Sequence, residues 1–185
     1  MFSRLQVLKL TLACLVGVTV SIGIGHAAET YRNEKYGFSL NVPTGVKLCK
    51  EEPPNPDHGP SLLLESSLSC KALAQTEARI AVIGEFNASE AQDLEELKND
   101  ICNQRGSPGT PPDDLMISGQ KTLSCLVKTG NGKVEIWVFA QNSEGSNIDT
   151  WINYEVSLLT TESRVDKDLA ILRRVLNGIC LLNPA

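Results

Sequence analysis

Histidines, close cysteine pairs and phosphate-binding glycine loops are scarce or missing in this sequence, and each shortage excludes a class of function. The chain of 185 residues has two histidines. Only His58 lies outside the apolar N-terminal segment, so a histidine-based catalytic triad would have to use it. The cysteines from Cys49 onward are widely spaced along the chain, and no two of them form the close ligand pair of a zinc site. We therefore predict no catalytic residue, no metal ligand and no cofactor.

Positive charge is also in short supply. Lys and Arg number 17 against 22 Asp and Glu, which gives a net charge of -5. An acidic protein repels nucleic acid and anionic lipid, so neither is a predicted partner. A hydrophobic fraction of 42% with 21% charged residues excludes collagen-like, coiled-coil and disordered chains and predicts an ordinary globular protein.

The N-terminal segment, 1–27, has the features of a secretory signal peptide. Two cations and no acid precede the uncharged apolar run Leu10–Gly25, and the small residues Gly25 and Ala27 fit signal peptidase. Cleavage after Ala27 would leave residues 28–185 as a single α+β domain. Its charge would be -7, because the leader takes away two cations and no anion. We predict a periplasmic or secreted protein without a stable membrane anchor after cleavage.

Two other interpretations of the leader stay open. A membrane anchor is the first, but sixteen helical residues span about 24 Å, which is shorter than a hydrocarbon core of about 30 Å. A lipoprotein cleavage box at Cys14 is the second. It is disfavoured because the apolar run continues beyond Cys14, where a lipoprotein normally begins a polar tether.

The remaining five cysteines suit an oxidising compartment, where thiols form disulfides. Short loops close at the lowest entropic cost, so the leading prediction is two disulfides between neighbours in sequence, Cys49 with Cys70 and Cys102 with Cys125. Loops of this size contribute about 3 kcal/mol each. Sequence alone leaves the other pairings open. Cys180 is then the unpaired candidate, either a reactive thiol or a small apolar residue.

Alternating apolar residues predict strands over much of the chain. Strands are expected at 36–42, 46–50, 61–66, 79–86 and 152–158. The clearest pattern is a hairpin in which Gly130-Asn131-Gly132 joins two alternating segments, because this turn supplies the positive dihedral angles that a tight hairpin needs. In its second strand Trp137 has the parity opposite to Ile136, which predicts a sheet covered on both faces with Trp137 in a core. Trp151, at a loop edge, is equally compatible with core and surface.

Two helices are predicted from apolar residues at helical spacing. Ser89 and Gln92 have the spacing of a capping box, which predicts a helix from there towards Gly106. The second helix is expected from about Ser163, with Asn177-Gly178 as its stop signal.

Strands that outnumber helices, with hairpin connections, predict an α+β fold: an α/β/α sandwich with a mainly antiparallel sheet. The opening segment Tyr31–Pro43, an aromatic-Gly-Phe strand ending in Pro-x-Gly, resembles the start of the Mog1/PsbP-like fold of small exported bacterial proteins. The order of strands and helices over most of the chain after the leader is similar as well. This resemblance implies a non-enzymatic binding or assembly protein, and it transfers no functional residue.

The function predicted from these features is that of an exported, non-enzymatic binding protein. Six acidic residues lie between Glu85 and Asp100 against Lys98 alone, either as a solvated helix face or as a docking surface for a protein partner of basic character. An immunity protein that neutralises a secreted toxin is the narrowest form of this hypothesis. The alternatives are an envelope assembly or accessory factor, and a small secreted hydrolase using His58.

Overall fold

The computed structural model describes residues 29–50, 57–87, 91–143 and 150–182. These residues form the predicted α+β fold with a mainly antiparallel sheet. Its strands are β1 (Thr30–Asn33), β2 (Phe38–Asn41), β3 (Lys47–Cys49), β4 (Ser61–Leu63), β5 (Arg79–Phe86), β6 (Ser107–Gly109), β7 (Met116–Ile117), β8 (Gln120–Lys121), β9 (Leu123–Gly130), β10 (Lys133–Asn142), β11 (Ile152–Thr161) and β12 (Ile179–Leu181). Its helices are a 3-10 helix (Cys70–Gln75), α1 (Leu94–Cys102) and α2 (Val165–Gly178).

The main sheet has seven strands in the order β3-β4-β5-β11-β10-β9-β6, and all of its neighbouring pairs are antiparallel. The long strand β10 pairs with β11 over its whole length, so that Ile136 faces Leu158. A smaller sheet has the order β1-β2-β12, and β7 pairs with β8 alone. The described residues thus form three layers: α1, the seven-stranded sheet, and a layer that contains α2 and the smaller sheet.

The predicted hairpin is confirmed between β9 and β10. Its central residues Asn131 and Gly132 have φ values of 52° and 69°, the positive values of a two-residue turn that follows the natural twist of paired strands. The two faces of β10 then separate in the predicted way, because side chains alternate along a strand. Val134 and Ile136 lie in the main core, whereas Trp137 and Phe139 lie in a second cluster on the other face.

The main core lies between the large sheet and a layer made of α2 and the β1-β2-β12 sheet. Helix α2 buries Leu172, Val175 and Leu176 against this core. The stop signal predicted at Asn177-Gly178 coincides with the end of α2, since Gly178 is its last residue and Ile179 is its cap. A side-chain carbon at Gly178 would lie 2.4 Å from the carbonyl oxygen of Asn41, so glycine here permits α2 to touch β2.

Helix α1 packs on the outer face, the face of the large sheet opposite the main core. It contacts β9 and β10 there. The predicted start of this helix was wrong, because its cap is Asp93, whose carboxylate accepts a hydrogen bond from the backbone N–H of Glu96 at 2.9 Å. Ser89, the predicted cap, lies outside the described residues. Strands β1, β6, β7, β8 and β12 and the 3-10 helix were not predicted.

Candidate functional site

Helix α1 covers only part of the outer face. Across β5 and β11, neither α-helix packs on this side, and the 3-10 helix reaches it only at the start of β5, where Arg79 donates to the carbonyl of Leu73. We call these outward side chains the open face. They are Arg79, Ala81, Ile83 and Glu85 of β5, and Asn153, Glu155, Ser157 and Leu159 of β11. Most of them are half-buried, so this part of the sheet is accessible to other molecules.

Two carboxyl groups from neighbouring strands meet on the open face. Glu155 is buried, with 7% of its surface exposed. Burial and the charge of Glu85 raise the pKa of Glu155 from 4.5 to about 7, against the opposing effect of the Arg105 charge. Glu155 therefore keeps its proton up to about neutral pH, beside a second carboxyl group.

Arg105 borders this pair and follows α1 in the chain. Its guanidinium carbon lies 4.2 Å from the centre of the Trp137 ring, a cation–π contact. Its Nη1 lies 3.6 Å from Oε2 of Glu135, and the same oxygen accepts a hydrogen bond from Nε1 of Trp137 at 2.9 Å. Glu135 thus holds both the cation and the ring. Trp137 is in a core, as predicted, and it stacks on Phe139.

A chain of three amides, of which those of Asn87 and Asn153 are buried, joins the open face to the segment that leads into α1. Gln141 donates to Oδ1 of Asn153 at 2.9 Å, and Asn153 donates to Oδ1 of Asn87 at 3.0 Å. Asn87 in turn donates to the carbonyl of Ala91 at 2.9 Å. Because buried amides are costly to leave unpaired, this chain fixes the position of α1 relative to β10 and β11.

His58 lies beside a cavity of about 290 Å³ that Ser61 and Glu85 also line. Its ring stacks on that of Tyr36 with centroids 5.3 Å apart, and its Nδ1 is buried without a hydrogen-bond partner. A catalytic histidine needs a group that orients one ring nitrogen while the other faces the nucleophile. The described contacts of His58 are those of a packed aromatic ring.

The cysteines lie away from the open face, at two edges of the fold. Disulfides join Cys49 to Cys70 and Cys102 to Cys125. The first ties β3 to the 3-10 helix, and the second ties the end of α1 to β9. Cys180 lies half-buried on β12 and belongs to neither disulfide.

The described residues contain no group of three or more His, Cys, Asp or Glu side chains placed to bind a metal ion. Within the same residues, no helix has the length and apolar character of a membrane span. Trp151 is half-buried, at the start of β11.

Glu85 belongs to the acidic cluster expected from the sequence, whereas Glu155 and Arg105 were not predicted as site residues. Glu155 does carry a signal, because it is a charged residue between Tyr154 and Val156 in a strand that is otherwise apolar. The proximity of Glu85 and Arg105 to Glu155 carries none, since it depends on the pairing of β5 with β11 and on the end of α1.

No family model matches the sequence, and no curated protein matches it. Among solved structures, the chain is similar to the cyanobacterial PsbP protein (CyanoP) of Synechocystis sp. PCC 6803, with 15% identity and a TM-score of 0.46 over 89% of this chain and 99% of that chain. It is also similar to LpqN of Mycobacterium tuberculosis, described as involved in cell envelope biogenesis, with 12% identity and a TM-score of 0.45 over 86% of this chain and 87% of that chain. The first is a PsbP protein, the kind that the N-terminal motif resembles. At these identities and TM-scores, neither similarity assigns a function.

Proposed function

We propose that this chain is an exported, non-enzymatic binding protein that engages a basic protein segment on its open face, beside α1. The observation that carries this proposal is that the outer face across β5 and β11 lacks a covering α-helix among the described residues and is bordered by acidic side chains. A sheet face of this kind, with half-buried apolar and polar side chains and a charged border, can serve as a protein interface.

The charge around the open face favours a cationic partner. Helix α1 exposes Glu95, Glu96 and Asp100. Of the described cations nearby, Lys98 pairs with Glu95 and Arg105 with Glu135, while Arg79 of the open face donates to the carbonyl of Leu73 at 3.2 Å. Attraction of this sign raises the rate of association with a basic segment and selects against acidic ones. Ile83 and Leu159 supply half-buried apolar surface on the same face.

Two features support export. The leader has the pattern of a cleaved signal peptide, and disulfides persist in oxidising compartments. N-terminal sequencing of the protein purified from its own host tests this part. A start at Ala28 supports the proposal, whereas a start at Met1 with both disulfides reduced contradicts it.

The binding proposal is tested by capture with matched variants. The chain from residue 28 is immobilised and exposed to the host's envelope and secreted proteins at near-physiological salt. We expect the wild type to capture one basic protein in stoichiometric amount. The control Asp166→Lys, which changes an exposed charge on α2, is expected to capture it equally well. Asp100→Lys on α1 is expected to lose or strongly weaken this binding. Capture of nothing, or equal capture by both variants, contradicts the proposed surface.

Two narrower functions differ in their genetic predictions. An immunity protein requires that the captured protein be a secreted toxin, encoded beside this chain, whose growth inhibition ends when this chain is co-expressed. An envelope assembly or accessory factor instead predicts envelope defects on deletion and no relief of toxicity.

A hydrolase that uses His58 predicts an activity that His58→Gln abolishes. The packed ring of His58 gives this last function the weakest support.

A further inference from the structure

The cavity beside His58 lies at the edge of the open face. Its lining includes Ala81, Ile83 and Glu85, which are outward side chains of β5, together with Ser61 of β4. Its volume is about 290 Å³. Pockets for drug-sized ligands begin at about 300 Å³, so this cavity suits one long side chain or a molecule of similar size.

The cavity exists because the side chains beneath it are small. The strand register places Ser61 beside Ala81, and Ser157 of β11 lies on the other side of Ala81. Ile83 and Glu85, the next two outward residues of β5, are larger. The row of small side chains therefore leaves a depression in the surface of the sheet, with an apolar floor and a carboxyl group at its border.

His58 forms one wall of the cavity, and both its backbone and its ring are held in place. The N–H of Gly84 donates to the carbonyl of His58 at 2.8 Å, and the N–H of Val82 donates to the carbonyl of Pro60 at 3.0 Å. These bonds extend the pairing of β4 with β5. The His58 ring stacks on that of Tyr36. A preformed cavity of this kind loses little conformational freedom when it binds a ligand.

The polar groups that line the cavity are suited to accept hydrogen bonds. Among the described residues, Glu85 forms no ion pair with a cation. Nδ1 of His58 is buried and has no hydrogen-bond partner in the described part of the chain, and it accepts a bond when the imidazole proton is on Nε2. The hydroxyl of Ser61 is a further acceptor. Because buried polar atoms are almost always hydrogen-bonded, these groups indicate a ligand that brings N–H donors.

The charges around the cavity favour a positively charged ligand. Glu155 pairs with Ile83 in the register of β11 with β5, so it lies on the same face, diagonal to Glu85. Arg79, the cation of the open face, donates to the carbonyl of Leu73 instead. A cation that enters the cavity thus meets one carboxyl group at its border and a second on the neighbouring strand.

We propose that this cavity binds the ammonium group of a lysine on the basic segment, an inference that deepens the proposed function and rests on it. The stem of the lysine lies over Ala81 and Ile83, because lysine stems pack on apolar surface while the charged head keeps polar partners. The head donates to Glu85. An ammonium group carries three donors and no acceptor, which matches the acceptors of the cavity. A side chain held in a cavity in this way is the usual anchor of a protein interface.

The test is an NMR titration of the purified protein with Nα-acetyl-lysine methylamide, a probe whose only charge is the ammonium group. We expect saturable shifts of the backbone amides of Gly59, Ser61 and Ile83, with a Kd on the order of 1 mM for a ligand of this size. The matching norleucine probe has a similar apolar stem without the ammonium group, and it is expected to leave these amides unchanged.

Matched variants assign the binding to the cavity. Glu85→Gln removes the carboxylate and is expected to weaken binding of the lysine probe by about tenfold or more. Ala81→Leu fills the floor and is expected to weaken it as well. Glu77→Gln removes an exposed carboxylate outside the cavity and is expected to bind the probe as the wild type does. Circular dichroism establishes that each variant is folded, and if Ala81→Leu is not, Glu85→Gln decides the question.

The proposal is overturned if the lysine probe causes no shifts, if the norleucine probe binds equally well, or if Glu85→Gln binds like the wild type. Capture of the basic protein separates this result from the proposed function. Equal capture by Glu85→Gln, with loss in Asp100→Lys, would leave the open face as the interface and refute the cavity as its anchor. If the lysine probe binds and no protein is captured, the lysine site stands and the proposed function fails.

Discussion

Replacing Glu155 by glutamine is expected to stabilise the protein above neutral pH and to leave its stability unchanged in acid. Glutamine has nearly the shape of the protonated carboxyl group, and its amide can donate a hydrogen bond to a neighbouring carboxylate. It has no proton to lose. The difference in stability between the variant and the wild type therefore measures the cost of ionising Glu155 in the folded state.

The size of this effect follows from the position of Glu155 in the fold. Its pKa is 4.5 in the unfolded chain and about 7 in the folded protein. Below pH 4.5 Glu155 is protonated in both the folded and the unfolded state, so the folded protein does not bear the cost of a buried charge. As the pH rises towards 7 the unfolded state releases its proton first, so stability is lost, and above about 7 the loss is complete. The difference between the two pKa values corresponds to a loss of about 3 kcal/mol in the free energy of unfolding.

Urea denaturation followed by circular dichroism at pH 4.5, 6, 7 and 8 measures this difference. We expect the gap between Glu155→Gln and the wild type to be near zero at the lowest pH and to reach about 3 kcal/mol at the highest. Glu77→Gln, at an exposed carboxylate, is the control and is expected to parallel the wild type. A constant gap across this range would refute the raised pKa of Glu155.

Two further substitutions test the packing of α2. Gly178→Ala is expected to destabilise the folded protein by about 1–3 kcal/mol, because the added carbon would meet the carbonyl of Asn41 at 2.4 Å. Thermal unfolding measures this loss. An unchanged melting temperature would contradict the close contact between α2 and β2. Asp168→Ala is expected to cost about 2–4 kcal/mol in urea denaturation, because the buried carboxylate accepts hydrogen bonds from Thr160 at 2.6 Å and from Arg164 at 3.1 Å. A cost below about 1 kcal/mol would show that this network does not anchor α2.

The long strands could be predicted from the sequence because each has a complete pattern of its own. Residues 133–142 alternate along their length, and Gly130-Asn131-Gly132 specifies the turn before them. Strand β12, Ile179–Leu181, has no such pattern. It is a strand because β2 lies beside it and pairs Ser39, from near the other end of the described chain, with Cys180. Short strands of this kind depend on tertiary contacts that local sequence does not specify.

The start of α1 also depends on a tertiary contact that local sequence does not specify. Ser89 and Asp93 are both good caps, and each is followed three residues later by a side chain that can complete a capping box. The amide of Asn87 decides between them, because it donates to the carbonyl of Ala91 and so holds that residue outside the helix. Asn87 is itself fixed by Asn153, a contact between distant parts of the chain.

The candidate site could not be predicted for a related reason. Glu85 and Glu155 are far apart in the sequence, and they meet because Glu155 pairs with Ile83, two positions from Glu85 on β5. A shift of one residue in that register would place Glu155 in the main core. The acidic composition did predict a basic partner, but it pointed to the helix alone and not to the sheet face beside it.

Hydrogen–deuterium exchange of the complex with the captured basic protein tests the central claim most directly. Binding on the open face predicts slower exchange in β5, Arg79–Phe86, and in α1, Leu94–Cys102, with little change in α2. Protection confined to α2 or to the β7–β8 hairpin, with β5 and α1 unchanged, would contradict the account.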